Sequence, residues 1–175
     1  MAKTTHTVTK ETRDLVNSIR RIVQALRVAS RDSEKKLGLS AAQLFVLQKL
    51  KEEEDLSLND LADRTLTHQS SVSVVVQRLV EKKLIKRDRS KEDARQLVLN
   101  LTDKGRKIVA KAPHARQEWM IDALEAMNPR SRKQFDATFK EFLQILHLDS
   151  DKPAPMLFAD KGVFAPEKKR RSPKK

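Results

Sequence analysis

Cysteine is absent from all 175 residues, which excludes disulfides, thiolate metal sites and thiol-based redox sensing and fits a reducing cytoplasm. Glycine occurs only three times and aromatics make up 4%, against 35% charged residues, so long helices with few tight turns are expected. No apolar run approaches the roughly 20 residues that a membrane span needs. The opening "MAKTTHTVTKETRD" lacks the apolar centre of a signal peptide. A cytoplasmic protein without a membrane partner is the expectation. The four histidines, His6, His68, His114 and His147, are scattered without ligand spacing, which argues against bound zinc. Nucleophile–base pairs, paired carboxylates and phosphate-binding glycine loops are also missing, so neither an enzyme nor a cofactor is expected.

What is present is positive charge, unevenly spread. The net charge is +13, and residues 64–111 alone contribute +8, with 13 basic and 5 acidic side chains. Residues 150–175 add +5, whereas residues 41–63 carry −4. A polyanion is the natural partner for such a distribution, because each neutralised phosphate releases condensed counterions. The length suits one domain, with or without a small appendage.

Apolar spacing outlines the elements. Leu15, Ile19, Ile22, Leu26 and Ala29, widened by Val16 and Val23, make a heptad-like stripe over 9–30. Ser40 and Gln43 have capping-box spacing before a second helix with Leu44, Leu47 and Leu50. Ser57 and Asp60 open a short third helix that ends near Arg64. Thr67 is the expected cap of a fourth helix, whose stripe is Val72, Val75, Val76, Leu79 and Val80. "LIKRDR" and "QLVLNL" then read as a β-hairpin joined by "SKEDAR". Thr102 and Asp103 restart a helix toward Met127, bent at Pro113, with Ile108, Ala112, Ala115, Trp119 and Leu124 inward. Asn128 and Pro129 start a last helix carrying Phe135, Phe139, Phe142, Leu143 and Leu146. After Asp149 the periodicity stops, and "EKKRRSPKK" closes a proline-punctuated basic tail resembling the minor-groove arms of DNA-packaging proteins.

Helix, short helix, turn, helix, hairpin is the order of a winged helix-turn-helix. The stretches "LSAAQLFVLQKL", "LSLNDLADRT", "SSVSVVVQRLVEKKLIKR" and "DARQLVLNLTDKGR" resemble the multiple-antibiotic-resistance regulator (MarR-like) family. The last stretch matches that family's wing signature at Asp93, Arg95, Leu101, Thr102 and Gly105. The expected fold is mainly α with a small β-hairpin: a winged helix-turn-helix lobe over 38–110 and a helical dimerisation region over 9–37 and 111–148. Residues 149–175 are expected to form a basic tail without a core. Where the family favours glycine this chain has Leu66 and Lys83. Because a lysine in a left-handed cap costs on the order of 1 kcal/mol, the corner after the fourth helix is expected to be built differently.

Candidate DNA contacts follow from the chemistry of each side chain. On the fourth helix, opposite the valine stripe, Gln69, Ser70, Ser73 and Gln77 offer polar groups to base edges or phosphates, Val74 an apolar contact for a thymine methyl, and Arg78 a phosphate contact. Arg95 at the hairpin tip suits a narrow minor groove. Asp93 is expected to hold the loop by pairing with a neighbouring cation, Arg87 or Arg89, which are themselves DNA-contact candidates. The resemblance further implies a homodimer on a pseudo-palindromic double-stranded operator, acting as a repressor and released by a small aromatic or phenolic effector. His114, Arg116 and Trp119 are the candidate effector cleft, although ordinary core is the commoner role for such a tryptophan. The alternative reading is a largely non-specific nucleoid- or RNA-associated basic protein.

Overall fold

The computed structural model describes residues 8–90, 93, 95–112, 116–149 and 154, with side chains for all of these except Arg116 and Gln117. It has the expected mainly helical architecture with one antiparallel hairpin. Helix α1 (Lys10–Leu37) is capped by Thr9, whose hydroxyl accepts the Thr12 N–H at 3.2 Å, and it runs past the expected end at Ser30 to a left-handed Gly38. Helices α2 (Ala41–Glu52) and α3 (Leu58–Arg64) each begin in a full capping box, Ser40 with Gln43 and Ser57 with Asp60. Two hydrogen bonds from Ser57, hydroxyl first and then backbone N–H, hold the Asp60 carboxyl below its ordinary range.

Helix α4 (Gln69–Glu81) buries Val72, Val75, Val76 and Leu79. Their β-branched side chains disfavour an isolated helix, so burial against α2 and α3 is what stabilises it. The cap of α4 is His68 and not Thr67. Its Nδ1 lies 2.8 Å from the Ser70 hydroxyl, while the Thr67 hydroxyl is engaged with that of Thr65 at 3.0 Å.

Strands β1 (Ile85–Arg89) and β2 (Leu97–Leu101) pair antiparallel with Ile85 opposite Leu101, and Leu56 adds a single bridge to Leu99. Helix α5 (Asp103–Ala110) follows at once, then α6 (Arg116–Glu125) and α7 (Pro129–Ile145). The single helix expected from Thr102 to Met127 is therefore two, and the expected bend at Pro113 and the inward Ala115 lie outside the described residues. One core joins α2, α3, α4, the hairpin and α5 through Phe45, Val46, Leu61, Val76, Leu79, Ile85, Leu101 and Val109. By contrast α7 buries none of its residues, and Trp119 and Leu124, expected inward, are 48% and 38% exposed in the single chain.

The scarcity of glycine shows at the helix ends. Leu66, Lys83 and His147 all adopt left-handed backbone, with φ of 53°, 59° and 54°. Each ends a helix in a Schellman motif; after α4, the Leu84 N–H bonds Leu79 O at 2.9 Å and the Lys83 N–H bonds Val80 O at 2.8 Å. The expectation that the Lys83 corner would be built differently is thus corrected. These two bonds, the burial of Leu84 and a Thr102 hydroxyl donating to Lys83 O at 2.8 Å together outweigh the cost of the strained lysine.

Gly105 is required for a different reason. A Cβ there would sit 2.2 Å from the Leu84 carbonyl oxygen. In a urea titration, Lys83→Gly should raise the unfolding midpoint at unchanged slope, by about 0.5–1 kcal/mol of stability. Gly105→Ala should lower it by about 1–3 kcal/mol, although alanine ordinarily favours a helix. A destabilised Lys83→Gly or a neutral Gly105→Ala would contradict this reading of the corner.

Candidate nucleic-acid interface

With the valine stripe buried, α4 turns its other face outward. Gln69, Ser70, Val74 and Gln77 are exposed, and Ser73 and Arg78 are half-buried. The hairpin stands beside this face, where Arg87 Nη2 on β1 donates to Gln77 Oε1 at 3.0 Å. Gln77 Nε2 in turn donates to Glu81 Oε1, also at 3.0 Å, one helical turn along. Glu81 is not among the residues expected from sequence; its spacing of four from Gln77 is the signal for it.

In the loop between the strands Arg95 is exposed. Asp93 makes a different bond from the ion pair expected. Its Oδ1 accepts the backbone N–H of Arg95 at 2.9 Å, and its carbonyl accepts the Gln96 N–H at 2.9 Å. This Asx turn forms without a guanidinium, because a local backbone donor is already in reach while an exposed ion pair is worth little. Ser90 completes the closure, its hydroxyl accepting the Asp93 N–H at 3.3 Å.

Arg89 is set apart from Arg87. It borders an open cleft of about 310 Å³ together with Glu54, Asp55, Lys86, Asp88, Asn100 and Arg106. There Asn100 Nδ2 donates to Asp55 at 2.6 Å and to Asp88 at 3.2 Å, and Lys86 lies 2.8 Å from Asp88. The Lys86 ammonium foremost, with Asn100, holds the Asp88 carboxyl below its ordinary range. This network pins β1 and β2 to the turn after α2.

Of the candidate effector cleft, His114 and the side chain of Arg116 lie outside the described residues, and Trp119 is placed on the exposed side of α6. Next to Trp119, Glu118 reaches Lys49 of α2 at 2.6 Å, and Lys49 also bonds Glu52 at 2.8 Å and lies 5.6 Å from the centre of the Phe45 ring. Burial opposes the charge on Lys49, but Glu118 and Glu52 together outweigh it and raise its pKa. Among the described residues no group of three or more His, Asp or Glu side chains is placed to hold a metal.

The family model for the transcriptional regulators SarA/Rot matches residues 29–112. The HTH-type transcriptional repressor MdtR of Bacillus subtilis is 35% identical over 92 residues, which are 53% of this chain and 59% of that protein. A MarR/EmrR family transcriptional regulator from Acinetobacter shares the fold, with a TM-score of 0.52 at 20% identity over 81% of this chain and 100% of that one. So does the transcriptional regulator BldR of Sulfolobus solfataricus, with a TM-score of 0.50 at 24% identity over 80% and 99%. The chain thus resembles the SarA/Rot transcriptional regulators in sequence over residues 29–112, and it has the winged helix-turn-helix fold. The proteins it resembles are named as transcriptional regulators.

The Asx turn is separable from ion pairing. Asp93→Asn keeps the Oδ1 acceptor and should leave the Arg95 amide as protected from hydrogen exchange as in the parent, whereas Asp93→Ala should speed its exchange about two- to tenfold, the value of one exposed hydrogen bond. Equal acceleration in both variants would show that the negative charge, and not the turn, holds the loop.

Proposed function

We propose that this MarR-like regulator is a homodimeric, sequence-specific repressor that binds double-stranded DNA. The observation that carries the reading is the Arg87–Gln77 bond, which puts the outer face of α4 and the hairpin on one side of the lobe. In that arrangement α4 enters the major groove with Gln69, Ser70, Ser73, Val74, Gln77 and Arg78, while the wing brings Arg95 to the adjacent minor groove and Arg87 and Arg89 to the backbone. The +8 of residues 64–111 favours the approach to phosphate. The MdtR repressor, matched over 59% of its length, supports the sign of regulation.

The dimer is supported by apolar surface that the single chain leaves bare. On α1, Leu15, Val16, Ile19, Ile22 and Val23 are exposed, and so are Phe135, Phe139, Phe142 and Ile145 on α7 and Leu146 at its C-cap. Stripes of this extent are a liability without a partner, and two-fold pairing of α1 and α7 covers both. We assign residues 9–37 and 111–148 to that pairing, 38–110 to the DNA-binding lobe, and the basic residues 149–175 to sequence-independent attraction. Two lobes related by a two-fold axis then meet half-sites about one helical turn apart. Among the described residues no helix is long and apolar enough to cross a membrane, in keeping with a cytoplasmic, nucleoid-associated protein. A small aromatic or phenolic effector bordered by Trp119 is the proposed release signal, near the Lys49–Glu118 contact between α2 and α6.

Selection of bound fragments from random duplex DNA should return a pseudo-palindrome, and Arg95→Ala should weaken binding to it about 10- to 100-fold while relaxing the preference at the minor-groove positions. Absence of a preferred site, with Arg95→Ala weakening all duplexes equally, would favour the non-specific reading. A monomer at micromolar concentration in sedimentation would remove the two-fold arrangement.

A further inference from the structure

The Gln77 amide is held at both ends by partners of opposite chemistry. Arginine can only donate and a carboxylate can only accept, so Arg87 fixes Oε1 on its own side and Glu81 fixes Nε2 on the other. The alternative flip of the amide would set donor against donor and acceptor against acceptor. The clamp uses one lone pair of Oε1 and one of the two N–H groups of Nε2. One lone pair and one N–H remain, and these are what a glutamine needs for a bidentate contact to adenine N6 and N7.

We propose that Glu81 and Arg87 are positioning residues that hold the Gln77 amide in one orientation, so that α4 reads an adenine in one strand polarity before DNA arrives. The inference rests on the reading of α4 as the base-reading helix and adds residue-level control of its specificity. Glu81 is the informative member. A carboxylate on the DNA-facing side of a basic lobe repels phosphate, so its presence there has to be explained by something other than affinity. Orienting Gln77 is such a role: an amide already ordered loses less conformational freedom on binding the correct base, and an incorrect base meets donor and acceptor in the wrong order.

The test compares Glu81→Ala, Glu81→Gln and Gln77→Ala in the full chain, reading both the preferred sequence by selection from random duplexes and the overall affinity. Glu81→Gln removes the charge but keeps an acceptor oxygen for Gln77 Nε2. It should bind all duplexes somewhat more tightly and retain the base preference. Glu81→Ala should show the same general gain but lose preference about three- to tenfold at one base pair per half-site, the same pair whose preference Gln77→Ala erases. In a Gln77→Ala background the further change Glu81→Ala should have only the general effect. If Gln77→Ala erases a preference that Glu81→Ala leaves intact, the positioning role is overturned while Gln77 stays a base contact. If Gln77→Ala changes no preference at any position, α4 does not read bases through Gln77 and both readings fall.

Discussion

The close approach of Gly105 to the Leu84 carbonyl is the constraint on which the unit of α2 to α5 and the hairpin depends. At this corner the end of α4, the start of β1, the end of β2 and the first turn of α5 meet within a few bonds. The Thr102 N–H donates to Leu84 O at 3.0 Å, its hydroxyl donates to Lys83 O, and the same hydroxyl caps α5 by accepting the Gly105 N–H at 3.1 Å. Two lysines extend the junction, Lys104 to Lys82 O at 3.2 Å and Lys82 to Gly38 O at 2.6 Å, so the end of α1 is fastened to it as well. A side chain at position 105 would push β2 and α5 away from the α4 corner, because the obstructing atom is backbone and cannot rotate aside.

The direction of the wing relative to α4 follows from this corner. With β1 following α4 through this corner, Arg87 falls beside Gln77, and farther along the hairpin Asp93 and Arg95 are joined by a local Asx turn. In the function proposed above, affinity and specificity come from different chemistry on one frame: Arg87 and Arg89 would supply sequence-independent attraction, Arg95 and the small polar face of α4 discrimination, and Glu81 would trade some attraction for order.

Legibility from sequence followed the range of the interactions involved. The capping boxes of α2 and α3, the valine stripe of α4 and the Asn128–Pro129 start of α7 depend on residues three or four apart, so spacing reveals them. The cap of α4 escaped because Thr67 is the better cap by propensity, yet its hydroxyl is taken by Thr65 and the chain turns one residue later. For Asp93 an ion pair is plausible in so basic a sequence, whereas the folded geometry offers a nearer backbone donor, the Arg95 N–H. The left-handed Lys83 was judged by its local cost alone, and long-range bonds from Thr102 reversed the outcome. Trp119 and Leu124 were placed inward because a stripe does not say whether its cover comes from the same chain or from a second copy.

Rigid coupling of α4 to the wing through the Leu84–Thr102–Gly105 corner is tested most directly by native-state amide hydrogen exchange. The amides of Leu84, Leu99 and Thr102 should open with the same free energy and the same denaturant dependence as those of Val76 and Leu79 in the core of α4. A separate, lower-energy opening of the hairpin while α4 stays protected would contradict the coupling.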